Sequence, residues 1–326
     1  MELSRILEII APDLEKVEGV IEENIQSEIP LVYEISRYIL GSGGKRLRPS
    51  VLILSCGASN PTKEKSVIAS AAALELIHTA TLLHDDVVDD ANLRRGRTSS
   101  NVIWGNKASV LVGDFLLARA LGLIQSCGNL ELIKAVTDAA AKLAEGQVLE
   151  VMSAQNMIEI SEEVCFDIIE HKTASLIETC GKIGAIIARA GEDLKESLGN
   201  YGLNLGIAFQ LIDDALDYSS KEEEFGKGIH QDLKEGKMTL PLVYALKRAS
   251  TREKTRIIDI LQKDGFRNEE LGFVLDVVEK YNGVPDTKAE AMKFADKAKS
   301  AIMNLPQNDH RNSLDLLADY VVERRV

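Results

Sequence analysis

Between Ser66 and Asp90 the chain reads SVIASAAALELIHTATLLHDDVVDD, an apolar run with three- and four-residue steps that ends in four aspartates within six residues. That period is helical, and LEKVEGVIEENI, ELIKAVTDAAAKLAEGQVLEVM and NLGIAFQLIDDALDY repeat it. No stretch shows sustained β-branched alternation between turn signals. The expected fold is all-α, with roughly ten or more helices. Prolines Pro30, Pro49, Pro61, Pro285 and Pro306 are assigned to connections. No Pro/Ser-rich linker, short-period repeat or low-complexity segment divides the chain, so residues 1–326 are read as a single domain.

Composition removes several classes of function. With 45% hydrophobic and 27% charged residues this is not a disordered acidic chain. A formal charge of -13 excludes broad nucleic-acid binding through a basic surface. Cys56, Cys127, Cys165 and Cys180 show no C-x-x-C spacing, so they read as free thiols in a reducing compartment. The N-terminal MELSRILEIIAPDLEKVEG has acids inside its apolar pattern and no signal-peptide core. No uninterrupted apolar run reaches the ~18 residues of a spanning helix. A cytoplasmic protein is expected, in contact with a membrane at most transiently.

Like charges at helical spacing repel by roughly 0.2–0.5 kcal/mol per pair, so Asp85, Asp86, Asp89 and Asp90 require an explanation. In DDxxD on a helix, residues i and i+4 lie about 40° apart and i+1 about 100° from the first, so all three share one broad face. Asp85, Asp86 and Asp89 form one such face; Asp213, Asp214 and Asp217, in FQLIDDALDY, form a second. A lone DDxxD reads as a solvated acidic turn. Two, each ending an apolar helical run, point to two helices presenting acids to a shared cavity. Carboxylates without histidine or thiol partners suit a hard, oxygen-binding ion that also holds phosphate, magnesium first. His78 and His84 raise an HD-type phosphohydrolase, but no later histidine completes that set.

Metal-bridged phosphate would also need arginine and lysine, and arginine's planar fork can hold two phosphate oxygens. GSGGKRLRP supplies Lys45, Arg46 and Arg48, and NLRRGRTSSN supplies Arg94 and Arg95. HKTASLI sets Lys172 and Thr173 in an apolar helix, and the loop SSKEEEFGKGIHQDLKEGK adds Lys227 and Lys237. Such polar, glycine-bearing connections often carry function.

Taken in order, GGKRLRP, LLHDDVVDDANLRRGR, EHKTASLI, FQLIDDALDY and GKGIHQDLKEGKMTLPL resemble the trans-isoprenyl diphosphate synthases, most closely the long-chain, octaprenyl-type members. The specific motifs run from about Lys45 to Pro241. The resemblance implies an all-α, single-domain isoprenoid-synthase bundle around a central cavity. It also implies a head-to-tail condensation: an allylic diphosphate such as farnesyl diphosphate ionises, and isopentenyl diphosphate attacks the allylic carbon. Charge stabilisation on the leaving diphosphate is then the main catalytic demand.

Carried over residue by residue, the resemblance places magnesium, about three ions per site, on Asp85, Asp89 and Asp213, with Asp86, Asp214 and Asp217 as supporting ligands. The allylic diphosphate meets Arg94, Lys172, Lys227 and Lys237, and Thr173 and Gln210 line the reacting end. Isopentenyl diphosphate, bound without these metals, meets Lys45, Arg48, His78 and Arg95. His230 stands where the family usually has glycine, which is expected to alter the loop's conformation. Asp232 is expected to pair with a loop cation, and Asp90 to be solvated or arginine-paired.

Ala80 and Thr81 lie one helical turn, about 5.4 Å, below the acids, where short-chain members place an aromatic block. With Ile77, Ala73 and Ala72 beyond them, the resemblance implies an open tunnel and a long all-trans product of roughly C35–C45, octaprenyl first. Phe115, Met152 and Met157 are candidates for its floor. A terpene cyclase would lack Lys45, Arg48 and Arg95, and regulatory subunits of heteromeric synthases usually lose an acid motif. The family's usual homodimer suggests a role for ASVLVGDFLLARALGL, which is unusually apolar for a free surface.

Overall fold

The acid-tipped run is a single helix, Lys65–Val88, whose middle is made of Ser70, Ala71, Ala72 and Ala73, all fully buried. Small side chains there let neighbouring helices approach closely. In the computed structural model, which describes residues 2–62, 64–155, 161–219, 230–261 and 267–324, this helix is α4. Before it come α1 (Ala11–Asn24), α2 (Pro30–Leu40) and α3 (Leu47–Ser59). After it come α5 (Asn106–Ser126), α6 (Leu130–Ala154), α7 (Glu162–Ile169), α8 (Ser175–Ile187) and α9 (Glu192–Ser219). The chain continues through α10 (Leu240–Arg248), α11 (Thr251–Leu261), α12 (Asn268–Lys280), α13 (Gly283–Ala301) and α14 (Asp309–Glu323).

Helix α4 packs on α3 and α5, α3 on α8, α8 on α9, and α9 on α13. Their apolar faces, with that of α14, make the main core, with Leu52, Leu74, Leu116, Ile183, Leu205 and Leu317 inside it. Each such side chain contributes ~1.5–3 kcal/mol by leaving water. Leu242, Ile257, Val274 and Val278 form a second cluster from α10, α11 and α12. Ile169, Ala174, Leu211 and Ala291 form a third, drawn from α7 to α13.

Two expectations are corrected here. Pro30, Pro49 and Pro285 lie in the first turns of α2, α3 and α13 rather than between helices, where proline's missing N–H has no intrahelical partner to lose. The stretch after the first acid cluster is a tight hairpin, not an open loop: Leu93 pairs with Thr98 and Arg94 with Arg97. Its two-residue turn is Arg95–Gly96, at φ 51° and 75°. Positive φ at both positions is the backbone that a short hairpin requires.

Helices α4 and α5 are long and apolar enough to cross a membrane by length and composition. Helix α4 is a core helix. Helix α5 buries Val112, Leu116, Ala120 and Ile124 but exposes Val110, Leu111 and Leu121, with Asp114 and Arg119 exposed among them.

Candidate active site

Both acid clusters sit at the C-terminal ends of their helices, α4 and α9, where the negative end of the helix dipole disfavours a carboxylate by about 0.3–1 kcal/mol each. They face each other across a cavity of about 430 Å³. Among the described residues seven carboxylates line it (Asp85, Asp89, Glu150, Asp214, Asp217, Asp232 and Glu235) against four cations, Arg94, Arg95, Lys172 and Lys237. Lys237 Nζ contacts Asp89 at 2.9 Å, Glu235 at 2.8 Å and Glu150 at 3.5 Å. Burial opposes the charge on that lysine, but Glu150, Asp89 and Glu235 outweigh it and raise its pKa. Lys172 pairs with Glu150 and lies 3.8 Å from Asp85. Burial raises the Asp85 carboxyl pKa, against the pull of Lys172.

On α9, Gln210 Nε2 donates to Asp214 Oδ1 at 2.8 Å, and Thr173 Oγ1 donates to Gln210 Oε1 at 2.9 Å. The chain Thr173–Gln210–Asp214 fixes which way the amide points. Burial pushes the Asp214 carboxyl up to about 7, although its Gln210 bond acts the other way. Asp217 accepts the backbone N–H groups of Gln231 and Asp232, both at 3.2 Å.

Beside this cavity lies a larger one, of about 870 Å³, with the opposite charge. Seven cations line it (Lys45, Arg46, Arg48, Arg94, Arg95, Lys172 and Arg324) against Glu75, Asp85 and Asp213. Arg46 and Arg95 both hold left-handed backbones, at φ 48° and 51°, a conformation that costs a non-glycine residue about 1–2 kcal/mol. Arg48 Nε is buried without a hydrogen-bond partner. Burial, then Arg48, Arg95, Arg94 and Arg46, hold the His78 imidazole well below its usual pKa. Ile77, Ala80, Thr81, Leu117, Leu143 and Val148 carry the same cavity into an apolar end.

The two cavities share Asp85, Arg94, Arg95, Lys172, Thr173 and Gln210. Lys172 and Thr173 lie in a π turn, Glu170–Ala174, inserted between α7 and α8. Such turns concentrate at functional sites because the extra residue re-aims side chains. Two glycines make room for it. A Cβ on Gly146 would stand 2.8 Å from the Lys172 backbone nitrogen, and one on Gly206 would stand 2.6 Å from Ala174 Cα.

Most residues expected from the sequence converge here, but several positions differ. Asp213 lines the cation-rich cavity, not the acidic one; Arg324 Nη2 contacts it at 2.8 Å and also donates to the Phe209 carbonyl at 2.8 Å. The 100° step between adjacent helical residues sends Asp213 and Asp214 to different cavities. Asp86 is fully buried beneath the acidic cavity, paired with Arg94 through one oxygen while Oδ2 has no partner. The loop cation Lys237 turns to Asp89, Glu150 and Glu235 rather than to the Asp232 side chain. Asp90 is exposed.

His230 itself holds a left-handed backbone, at φ 58°, the conformation that glycine adopts freely; the loop preceding it lies outside the described residues. Ala72 and Ala73 are buried in the core rather than along the cavity, and Leu117 and Leu143 stand where Phe115 and Met152 were expected. Lys227 and Met157 lie outside the described residues. Sequence reasoning missed Glu75, Glu150, Glu235 and Arg324. The signal was faint: an acid within an amphipathic helix reads as solvated, and Arg324 stands far along the chain from Asp213.

The acidic cavity fits a hard divalent cation by its carboxylates, which outnumber every other donor in its lining. Among the described residues no three His, Cys, Asp or Glu side chains converge as a preformed metal site, so a cation there would share its coordination with a ligand's phosphate oxygens.

Residues 29–278 match the family described as Polyprenyl synthetase. The chain is 39% identical over 324 residues to the octaprenyl diphosphate synthase of Escherichia coli, covering 99% of each. It is 36% identical over 330 residues to a short chain isoprenyl diphosphate synthase of Methanothermobacter thermautotrophicus, covering 99% of each. The crystal structure of a polyprenyl synthase from Caulobacter crescentus, complexed with calcium and isoprenyl diphosphate, superposes with a TM-score of 0.95 at 37% identity, covering 100% of this chain and 98% of that one. The chain therefore belongs to the polyprenyl synthetase family and is a prenyl diphosphate synthase of the trans type.

Proposed function

We propose that this enzyme condenses isopentenyl diphosphate head-to-tail onto an allylic diphosphate, farnesyl diphosphate for preference, to give a long all-trans polyprenyl diphosphate, octaprenyl first. The observation that carries this reading is the pair of oppositely charged cavities joined at Lys172, Thr173 and Gln210. The acidic cavity takes the allylic diphosphate, and Asp85, Asp89, Asp214 and Asp217 are the residues that would hold magnesium there. Bound there, magnesium supplies charge stabilisation to the departing diphosphate. Arg94, Lys172 and Lys237 add hydrogen bonds to the same group. Asp213 would add to that set only with Arg324 displaced from it.

The cation-rich cavity takes isopentenyl diphosphate on Lys45, Arg48 and Arg95, with His78 beside them. At the junction the Thr173 hydroxyl and the Gln210 amide face the reacting carbons, where their dipoles act on the allylic cation. The C–O bond of the allylic diphosphate breaks with its electron pair leaving on oxygen. The isopentenyl double bond then forms the new C–C bond, and the proton lost from the adduct goes to the released diphosphate. The chain itself needs no side-chain base.

Product length rests on Ala80 and Thr81, which leave the first turn below the acids without an aromatic ring. The enzyme works as a cytoplasmic homodimer in this reading, with the exposed apolar face of α5 as interface. Incubation with farnesyl diphosphate, isopentenyl diphosphate and Mg²⁺, followed by sizing of the products, is expected to give mainly C40. Products confined to C15 or C20 would overturn the long-chain assignment.

A further inference from the structure

Among the described residues Glu75 is the one acid of the cation-rich cavity that neither substrate nor metal accounts for. It is 4% exposed, on the cavity side of α4 three residues before His78. Arg46 Nη1 donates to its Oε1 at 2.9 Å, while Glu18 takes Nε and Nη2 of the same guanidinium at 2.6 and 3.1 Å. Arg46 thus gives three of its five N–H donors to two carboxylates. The glycine turn shows how tightly the positive groups are packed: a Cβ on Gly44 would lie 3.2 Å from Arg46 Nη1 and 3.3 Å from Arg95 Nη1. Two guanidinium groups flanking one glycine repel unless an anion stands beside them. The charge of Glu75 reaches Arg48 and Arg95 as well as Arg46.

We propose that Glu75 is a resident counter-anion of the isopentenyl diphosphate site, holding Arg46, Arg48 and Arg95 together and weakening the site's grip on a bare diphosphate. The inference rests on the assignment of this cavity to isopentenyl diphosphate. The reaction releases inorganic diphosphate, which carries the same charged group as the second substrate. A fixed buried carboxylate repels both diphosphates alike, so it lowers the site's affinity for either without changing their ratio. Glu75 therefore acts as an affinity-tuning residue that keeps the site from being held by the reaction's own by-product.

The test uses inorganic diphosphate as the probe, with EDTA present so that only the metal-independent site reports. The Glu75→Gln variant keeps an acceptor for Arg46 but removes the charge. It is expected to bind diphosphate about 10-fold or more tightly than the parent, to melt lower when empty and to gain more on adding the ion. In the Mg²⁺ assay its Ki for diphosphate against isopentenyl diphosphate should fall by a similar factor, while the KM for the allylic substrate moves less than about two-fold. Glu75→Asp retains the charge and should preserve the parental affinity for diphosphate. Glu18→Gln makes the same charge change at the half-exposed end of the pair and should shift binding less than about two-fold, because solvent screens it. Unchanged or weaker diphosphate binding by Glu75→Gln overturns the proposal, as does an equal gain in Glu18→Gln or Glu75→Asp. A parent enzyme that binds no isopentenyl diphosphate in EDTA would instead overturn the assignment of the cavity.

Discussion

Asp213 and Asp214 are adjacent in sequence and differ in almost every physical respect. Asp214 is buried, hydrogen-bonded to Gln210 and raised in pKa by its burial; Asp213 is half-buried and held by Arg324, whose guanidinium lies 4.0 Å from the Phe209 ring centroid. If magnesium uses Asp213, it must displace Arg324. Arg324→Gln is therefore expected to lower the Mg²⁺ concentration for half-maximal turnover a few-fold. A titration identical to the parent's would show that Arg324 does not compete with the metal. Thr173→Val removes the hydroxyl that fixes the Gln210 amide, and loss of one such bond is worth about 1 kcal/mol. It should lower kcat by roughly five- to ten-fold with little change in either KM, as steady-state kinetics would reveal. At this scale the acid clusters were legible because their repulsion has no purpose inside an ordinary helix. Glu150 and Glu235 were not legible, because their placement depends on the Lys237 position that only the fold supplies.

Helices were read correctly wherever their apolar period was long, as in α4, α6 and α9. What the period could not convey was the π turn, since one extra residue in EHKTASLI leaves composition and apolar spacing nearly intact. Its seat is nevertheless written in Gly146 and Gly206, each placed where a methyl group would strike the turn. Gly146→Ala forces the turn aside by overpacking, which costs typically about 1–3 kcal/mol. Both the melting temperature and kcat should fall, and kcat should stay low at temperatures where the variant is fully folded. Full activity under those conditions would show that the position of Lys172 tolerates the shift. The hairpin was missed for a related reason: Arg95–Gly96 is an uncommon choice for a turn in which Asn-Gly is favoured. On α4, Ala80→Phe places a ring in the apolar end of the larger cavity. Shorter products, with the first condensations preserved, are the expected result on product sizing. Unchanged length would place the growing chain against another wall.

Across the whole molecule, the apolar end of the larger cavity runs towards α5 and α6, and its wall includes Val148, which is 60% exposed. On α5 Val110 is 37% and Leu111 67% exposed. Adjacent exposed apolar residues on a helix this apolar mark an interaction site in a folded protein. Asp114 and Arg119, exposed midway along the same helix, fit a protein partner with a polar rim better than lipid tails, in which a charge is costly. A second copy of the chain meets that description, because a twofold interface brings the same face to both sides. Sequence could flag α5 as too apolar for a free surface, but not that the product cavity would border the same face. The two facts combine into one prediction. In the proposed homodimer Leu111→Asp would set a carboxylate on each side of the twofold contact, and sedimentation should show it shifted from dimer to monomer. Leu111 itself lines neither cavity, so the charged site and the first condensation should survive. With the wall beside Val148 left open to water, long apolar intermediates lose their cover, and the product distribution should move to shorter chains. A monomeric variant that still makes parental-length product would show that one protomer closes the cavity alone. A variant that remains dimeric would move the interface elsewhere on the bundle.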